Sequence, residues 1–182
     1  MNQETETLVA TKWAIDTAHS EIQFKVKHMM LTQVTGQFTQ FAGQVEMEET
    51  QLETAQISFT ADTASISTGN EQRDGHLRGE DFFNSEVYPQ LLFTNGKIVN
   101  STNGLILTGD MTIRDITNRV ELPVEFGGLG VDPWGNQKLG FSINGKINRK
   151  DFGLVWNSAL ETGGVLVSDD VRIIAEIQLA KS

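Results

Sequence analysis

Between residues 20 and 30 the chain sets Ile22, Phe24 and Val26 on even positions and Glu21, Gln23, Lys25 and Lys27 on odd ones. A repeat of two belongs to a strand with one buried and one wet face, and a helix, with faces that recur about every 3.6 residues, cannot use it. The same alternation, or a strand-like richness in Val, Ile, Thr and Phe, returns at about 34–47, 54–65, 90–98, 104–113, 117–127, 137–148 and 169–179. Counting the first, eight strands are expected. Adjacent strands joined by tight turns pair antiparallel, and Asn95-Gly96, Asn103-Gly104 and Gly127-Gly128 read as such turns because Asn and Gly tolerate positive φ. Asn144-Gly145 reads as a turn or as a bulge within its strand, and Pro133 and Gly135 mark a turn in which Trp134 packs locally. Phe41-Ala42-Gly43 breaks the parity of Val34, Gly36 and Phe38, as a bulge or sharp bend does.

Eight antiparallel strands with one apolar face close most economically into a barrel, which leaves no open sheet edge. With 182 residues, 38% of them hydrophobic, the chain forms one domain, expected over 11–182 after a flexible N-terminus at 1–10. The net charge of −10 opposes a nucleic-acid partner. The chain has no cysteine, which excludes disulfides, thiol nucleophiles and Cys-ligated metal. Residues 1–13 lack the basic, then apolar, pattern of a secretory signal, and no apolar run reaches bilayer-spanning length, so a cytoplasmic location is expected.

One segment departs from the strand pattern. Ser67-Thr68-Gly69-Asn70 offers N-capping groups, Glu71 and Asp74 suit a first helical turn, and Gly79 suits a C-terminal cap. A short helix is therefore expected between the third and fourth strands, with Asp74 and Arg78 four residues apart as a surface ion pair. Phe82-Phe83, which follow it, are expected to turn onto the barrel interior as plug or wall.

These segments resemble a known family. Trp13, Ile15, Asp16, His19 and Ser20, then Phe24, Val26, Lys27 and His28, the long run SFTADTASISTGNEQRDGHLRGEDFFNSEVYPQLLF, and the later NRKDFG and ETGGVLVSDDV are similar to the YceI-like proteins. The resemblance implies a lipocalin-like, extended antiparallel barrel with a long-chain lipid, isoprenoid or fatty-acid-like, lying inside and no established catalytic activity. It implies binding, sequestration or transport of that lipid, and together with an apolar rim it is compatible with a homodimer. Many relatives carry an export signal; this chain departs from them.

Strand parity points Ile22, Phe24, Val26, Phe38, Ile57, Phe59, Leu91, Phe93, Leu107, Met111 or its neighbours, Phe141 and Ile143 inward. Of these, Phe24, Val26, Phe38, Ile57, Phe59, Phe93, Leu107, Met111, Phe141 and Ile143 are the candidate channel wall, with Phe82 and Phe83. His28 shares their parity near the end of its strand and is either a satisfied core or rim residue or a hydrogen-bond partner of a lipid head group. Arg78, or Arg73, is a candidate partner for an anionic head group. Trp156 and Trp13 are candidates for sealing the barrel ends.

No metal or other cofactor is expected: His19, His28 and His76 lack the spacing of a zinc site. No G-x-S-x-G nucleophile setting occurs either. Two alternatives stand beside the carrier: an enzyme acting on an amphipathic isoprenoid or acyl substrate through His28, His76, Arg73 and Arg78, and an interaction module with a filled core.

Overall fold

The computed structural model describes residues 10–182. The expected loose terminus at 1–9 lies outside the described residues, and Ala10 already belongs to a strand. Eleven strands form one antiparallel sheet: β1 (Ala10–Ile15), β2 (Glu21–His28), β3 (Thr32–Phe38), β4 (Phe41–Glu48), β5 (Gln56–Asp62), β6 (Ile66–Ser67), β7 (Gln90–Ser101), β8 (Gly104–Ile113), β9 (Ile116–Val131), β10 (Gln137–Asn148) and β11 (Asp170–Lys181). The single α-helix among the described residues, α1, spans Glu71–Arg78 between β6 and β7.

The sheet closes because β1 pairs with β4 on one side and with β11 on the other, so the order β1-β4-β5-β7-β8-β9-β10-β11 returns to β1. β2 takes over from β1 along the same edge of β11, Arg172 to Glu176 facing Lys25 to Glu21. β2, β3 and β6 thus continue β1, β4 and β5 beyond a bend, and the barrel has eight staves, three of them broken. The helix stands between the third and fourth staves. The break between β3 and β4 falls at Thr39-Gln40, just before the expected Phe41-Gly43 bulge, where the register with β5 is regular.

Three turn expectations are corrected. Asn95-Gly96 is a bulge inside β7, with Asn95 at φ 54° and the register to β8 shifting between Thr94 and Lys97. Gly127-Gly128 is a bulge inside β9, where Gly128 takes φ 112° and the register to β10 slips beside Phe141. Positive φ serves a bulge as readily as a hairpin turn, and only the ladder decides between them. Trp134, at the β9–β10 turn, is 82% exposed and does not pack locally.

The helix forms where expected: Asn70 caps it by accepting a hydrogen bond from Arg73 N at 3.0 Å, and Gly79 ends it. The Asp74–Arg78 pair does not form. Asp74 is 3% exposed and accepts from the backbone N–H and the hydroxyl of Thr68, while Arg78 reaches Glu71 at 3.6 Å. A buried carboxylate takes the donors that its burial would otherwise leave unmet, which outweighs a solvent-exposed ion pair.

Candidate functional site

Inward-facing side chains along the staves leave a space at the barrel axis. The cavity measures about 880 Å³ and runs from Leu179, Met47 and Leu52 at one end, the base, to His28, His76 and Trp156 at the other, the mouth. Its wall is apolar because period-2 strands turn every second residue inward. Phe24, Val26 and Phe38 come from β2 and β3, Ile57 and Phe59 from β5, Phe93 from β7, Leu107 and Met111 from β8, and Phe141 and Ile143 from β10. Phe82 and Phe83, in the loop after α1, complete the aromatic part of the wall, Phe83 meeting Phe38 edge-on at 5.8 Å.

Two glycines set the shape of this space. A Cβ on Gly36 would collide with the Phe24 ring, and one on Gly109 with the Phe93 ring. Each ring lies flat over the neighbouring strand instead of projecting across the barrel.

Of the expected site residues, Arg78 and Trp13 do not border the cavity: Arg78 sits on the outer side of α1 with Glu71, and Trp13 is buried in β1 at the base, opposite Lys181. The parity reading placed the strand residues because a strand has two faces. Arg78 lies on a helix, where spacing without tertiary contacts does not fix direction. Arg73 does border the cavity. Its Nε donates to the Thr68 hydroxyl at 2.7 Å and its Nη2 to the Thr68 carbonyl at 2.9 Å, and among the described residues Nη1 has no partner.

The mouth is polar in a specific way. His76 Nε2 lies 2.9 Å from an Asp81 carboxylate oxygen, and its ring meets Trp156 edge-on at 4.7 Å and Phe82 at 5.1 Å. His28, the last residue of β2, bridges to Val167. His19 sits on the bend between β1 and β2 beside Asp16, away from both.

Sequence reasoning missed Arg149. It follows β10, is 3% exposed, and borders the cavity floor of the mouth. Its guanidinium donates to the carbonyls of Leu154 (2.6 Å), Trp156 (2.8 Å) and Ser168 (2.9 Å), with Asp169 3.9 Å away. Burial lowers its pKa from the usual arginine value and Asp169 opposes the shift. One side chain thereby ties both ends of the loop 153–169 over the mouth, positioning Trp156 against His76. The acceptors are backbone carbonyls of an irregular loop, five, seven and nineteen residues away, and a carbonyl carries no residue-type signal that would announce the role.

With an apolar barrel, polar groups gathered at one end and a single helix beside them, the arrangement can hold an extended apolar chain and meet a polar head. No helix among the described residues is long and apolar enough to cross a membrane.

Comparison with known proteins agrees with this architecture. The family model described as the YceI-like domain matches residues 13–179. A UPF0312 protein of Staphylococcus epidermidis is 39% identical over 171 residues, 93% of this chain and 98% of the relative. A UPF0312 protein of Staphylococcus aureus is 37% identical over 173 residues, 94% of this chain and 99% of the relative. Among solved structures, BcnA of Burkholderia cenocepacia superposes with a TM-score of 0.76 at 25% identity, covering 90% of this chain and 98% of that one. The YCEI protein of Campylobacter jejuni gives 0.72 at 31% identity, over 92% and 96%. A polyisoprenoid binding domain from Saccharophagus degradans shares the fold, with a TM-score of 0.67 at 12% identity over 93% and 98%.

Proposed function

We propose that this chain, which belongs to the YceI-like family, binds a long apolar chain of isoprenoid or fatty-acyl type inside its barrel and keeps it from water, as a carrier or reservoir and not as an enzyme. The observation that carries the reading is the continuous apolar cavity of about 880 Å³ between Leu179 and Trp156. An interior of this kind has no structural purpose for the empty barrel, since eight staves can be filled by their own side chains. A cavity of this volume lies in the range of small-molecule sites.

The energetics suit a tail. Each methylene moved from water gains roughly 0.8 kcal/mol, so about twenty would give on the order of 16 kcal/mol against an association cost of roughly 4 to 15. Tight binding needs no polar contact along the tail. Selectivity falls to cavity length and to the mouth, where Arg73, His28 and His76 are the groups placed to meet a head group. The polyisoprenoid-binding name of the Saccharophagus degradans domain is in keeping with this reading.

Extraction of the purified protein with organic solvent, followed by mass spectrometry, tests it. A long apolar chain near one per protein is expected. A protein that yields no such chain and takes up no added prenol or fatty acid would reduce the barrel to an interaction module. Release of a chemically altered chain, lost in His76→Ala, would favour the enzyme instead.

A further inference from the structure

The β2–β3 tip breaks a local rule. Met29 and Met30 both adopt left-handed backbone, φ 54° and 59°. Asn and Gly are the ordinary occupants of that conformation in a tight hairpin, and bulky side chains there are outliers. With Leu31, 78% exposed, they hold three apolar side chains in solvent. Exposed Val165 is close by, because Met29 N–H donates to the Leu166 carbonyl at 2.8 Å and fastens the mouth loop to the tip. A contiguous exposed apolar patch with a polar rim marks an interaction surface.

The charges behind the tip say what kind. Lys146 of β10 faces Arg172 of β11, and Arg172 faces Lys25 of β2, three cations side by side in one row of the outer sheet surface. Like charges directly opposed on neighbouring strands are destabilising without an anion to share. Lys27, exposed at the next outward position of β2, also borders the cavity at its mouth. Residues 22–45 hold no acid, in a chain with 24 Asp and Glu and a net charge of −10.

The nearby acids are already engaged. Asp170 meets Lys146 at 3.4 Å, and Asp169 lies 3.4 Å from Lys150 and 3.9 Å from Arg149. Among the described residues Lys25, Lys27 and Arg172 have no ion-pair partner. Lys27 and Lys25 precede Met29 by two and four residues, about 7 and 13 Å along a strand. That is close to the depth of the head-group layer when an apolar edge sits about 5–10 Å into the acyl boundary.

We propose that the mouth docks on an anionic phospholipid bilayer, Met29, Met30 and Leu31 entering the acyl boundary and Lys25, Lys27 and Arg172 meeting lipid phosphates. The inference rests on the carrier reading for its purpose, delivery and loading of the tail, but the docking itself is measurable without any isoprenoid. A second copy of the chain is a poor occupant, since a two-fold contact through this patch would set one cationic row against another. The acids at the barrel base do not cancel the attraction: a 12-residue strand spans about 40 Å, several times the screening length of about 8–10 Å in physiological salt.

Flotation with phosphatidylcholine vesicles, with and without phosphatidylglycerol and free of isoprenoid, tests the proposal. The protein is expected to float with the anionic vesicles, less so as salt rises, and not with neutral ones. Met29→Asn/Met30→Gly/Leu31→Ser removes the apolar tip while supplying residues that accept positive φ, and it should abolish flotation. Lys25→Gln/Arg172→Gln, at two cations that do not border the cavity, should weaken it about 30-fold, the factor given by about 1 kcal/mol per basic residue at an anionic surface. Prenol binding in solution without vesicles should be unchanged in both variants. Flotation without prenol binding would remove the carrier reading alone and leave docking supported. Failure of the unaltered protein to float, equal flotation with neutral vesicles, or undiminished flotation of the tip variant would overturn the proposal, as would a dimer in light scattering that the tip variant dissolves.

Discussion

The two ends of the barrel both expose apolar side chains, but they are built by different means. At the base, beyond the Gly127-Gly128 bulge, β9 and β10 run on as a hairpin to the Asp132–Asn136 turn, where Asp132 accepts from Trp134 N and Asn136 N within the turn itself. Leu129, Val131 and Trp134 are exposed there, next to Glu125 and Asp132, and the nearby Lys138 is taken by Asp16. At the mouth, α1 and the loop 153–169 replace strand pairing, and buried Asp74 and Arg149 satisfy the backbone that no ladder reaches. Strand ladders close the base. The mouth depends on single buried polar side chains in place of a ladder, so it is the end that substitutions should loosen.

That contrast sets the size of the expected effects. Arg149→Met should cost the most, about 3 kcal/mol in urea unfolding, because several buried carbonyls lose their donor at once. The same variant should render 154–168 sensitive to protease while the β9–β10 hairpin stays resistant; cleavage at both ends would erase the distinction. Asp74→Ala comes next at about 2 kcal/mol, since it orphans Thr68 N–H beside the helix start.

The Asp16–Lys138 pair, on the wall towards the base, should contribute less, about 1 kcal/mol at a partly exposed site. The hydrogen bond from Lys138, followed by that from His19, lowers the Asp16 pKa from 3.8 to about 2. A depressed folded-state pKa gives stability that is present above about 4 and lost as pH falls toward 2. Stability curves of the unaltered protein and Asp16→Asn should therefore converge on acidification and separate near neutrality; parallel curves would contradict the assignment. Trp134→Ser should be smallest, within about 0.5 kcal/mol, with vesicle binding unaltered. A loss of flotation in Trp134→Ser would transfer the docking surface to the base.

The same contrast explains what could be read from the chain. Ile22, Phe24 and Val26 declared their face because a strand offers two directions, and the staves of the cavity wall followed from the same parity. Asn95-Gly96 and Gly127-Gly128 misled, because a bulge and a turn ask the same conformation of the same residues. Asp74 was spaced for Arg78 yet turned inward to Thr68, a choice set by burial rather than by helical spacing. Arg149 stood within the family-like NRKDFG run, but its role was not legible: its partners are carbonyls, which every residue owns, and only the folded loop selects them. The bend between β1 and β2 was also hidden, since Asp16–Ser20 carry no glycine or proline.

The central claim is that a tail lies within the barrel and not on its surface. Ile143→Trp places an indole in the middle of the cavity wall, where there is room for it, so the barrel should remain folded and at least as stable. Titration of the unaltered protein with a long-chain prenol, the bound chain being counted by mass spectrometry after gel filtration, should saturate near one chain per barrel, while Ile143→Trp takes up none. Equal uptake by both proteins would place the chain outside the cavity and contradict the account.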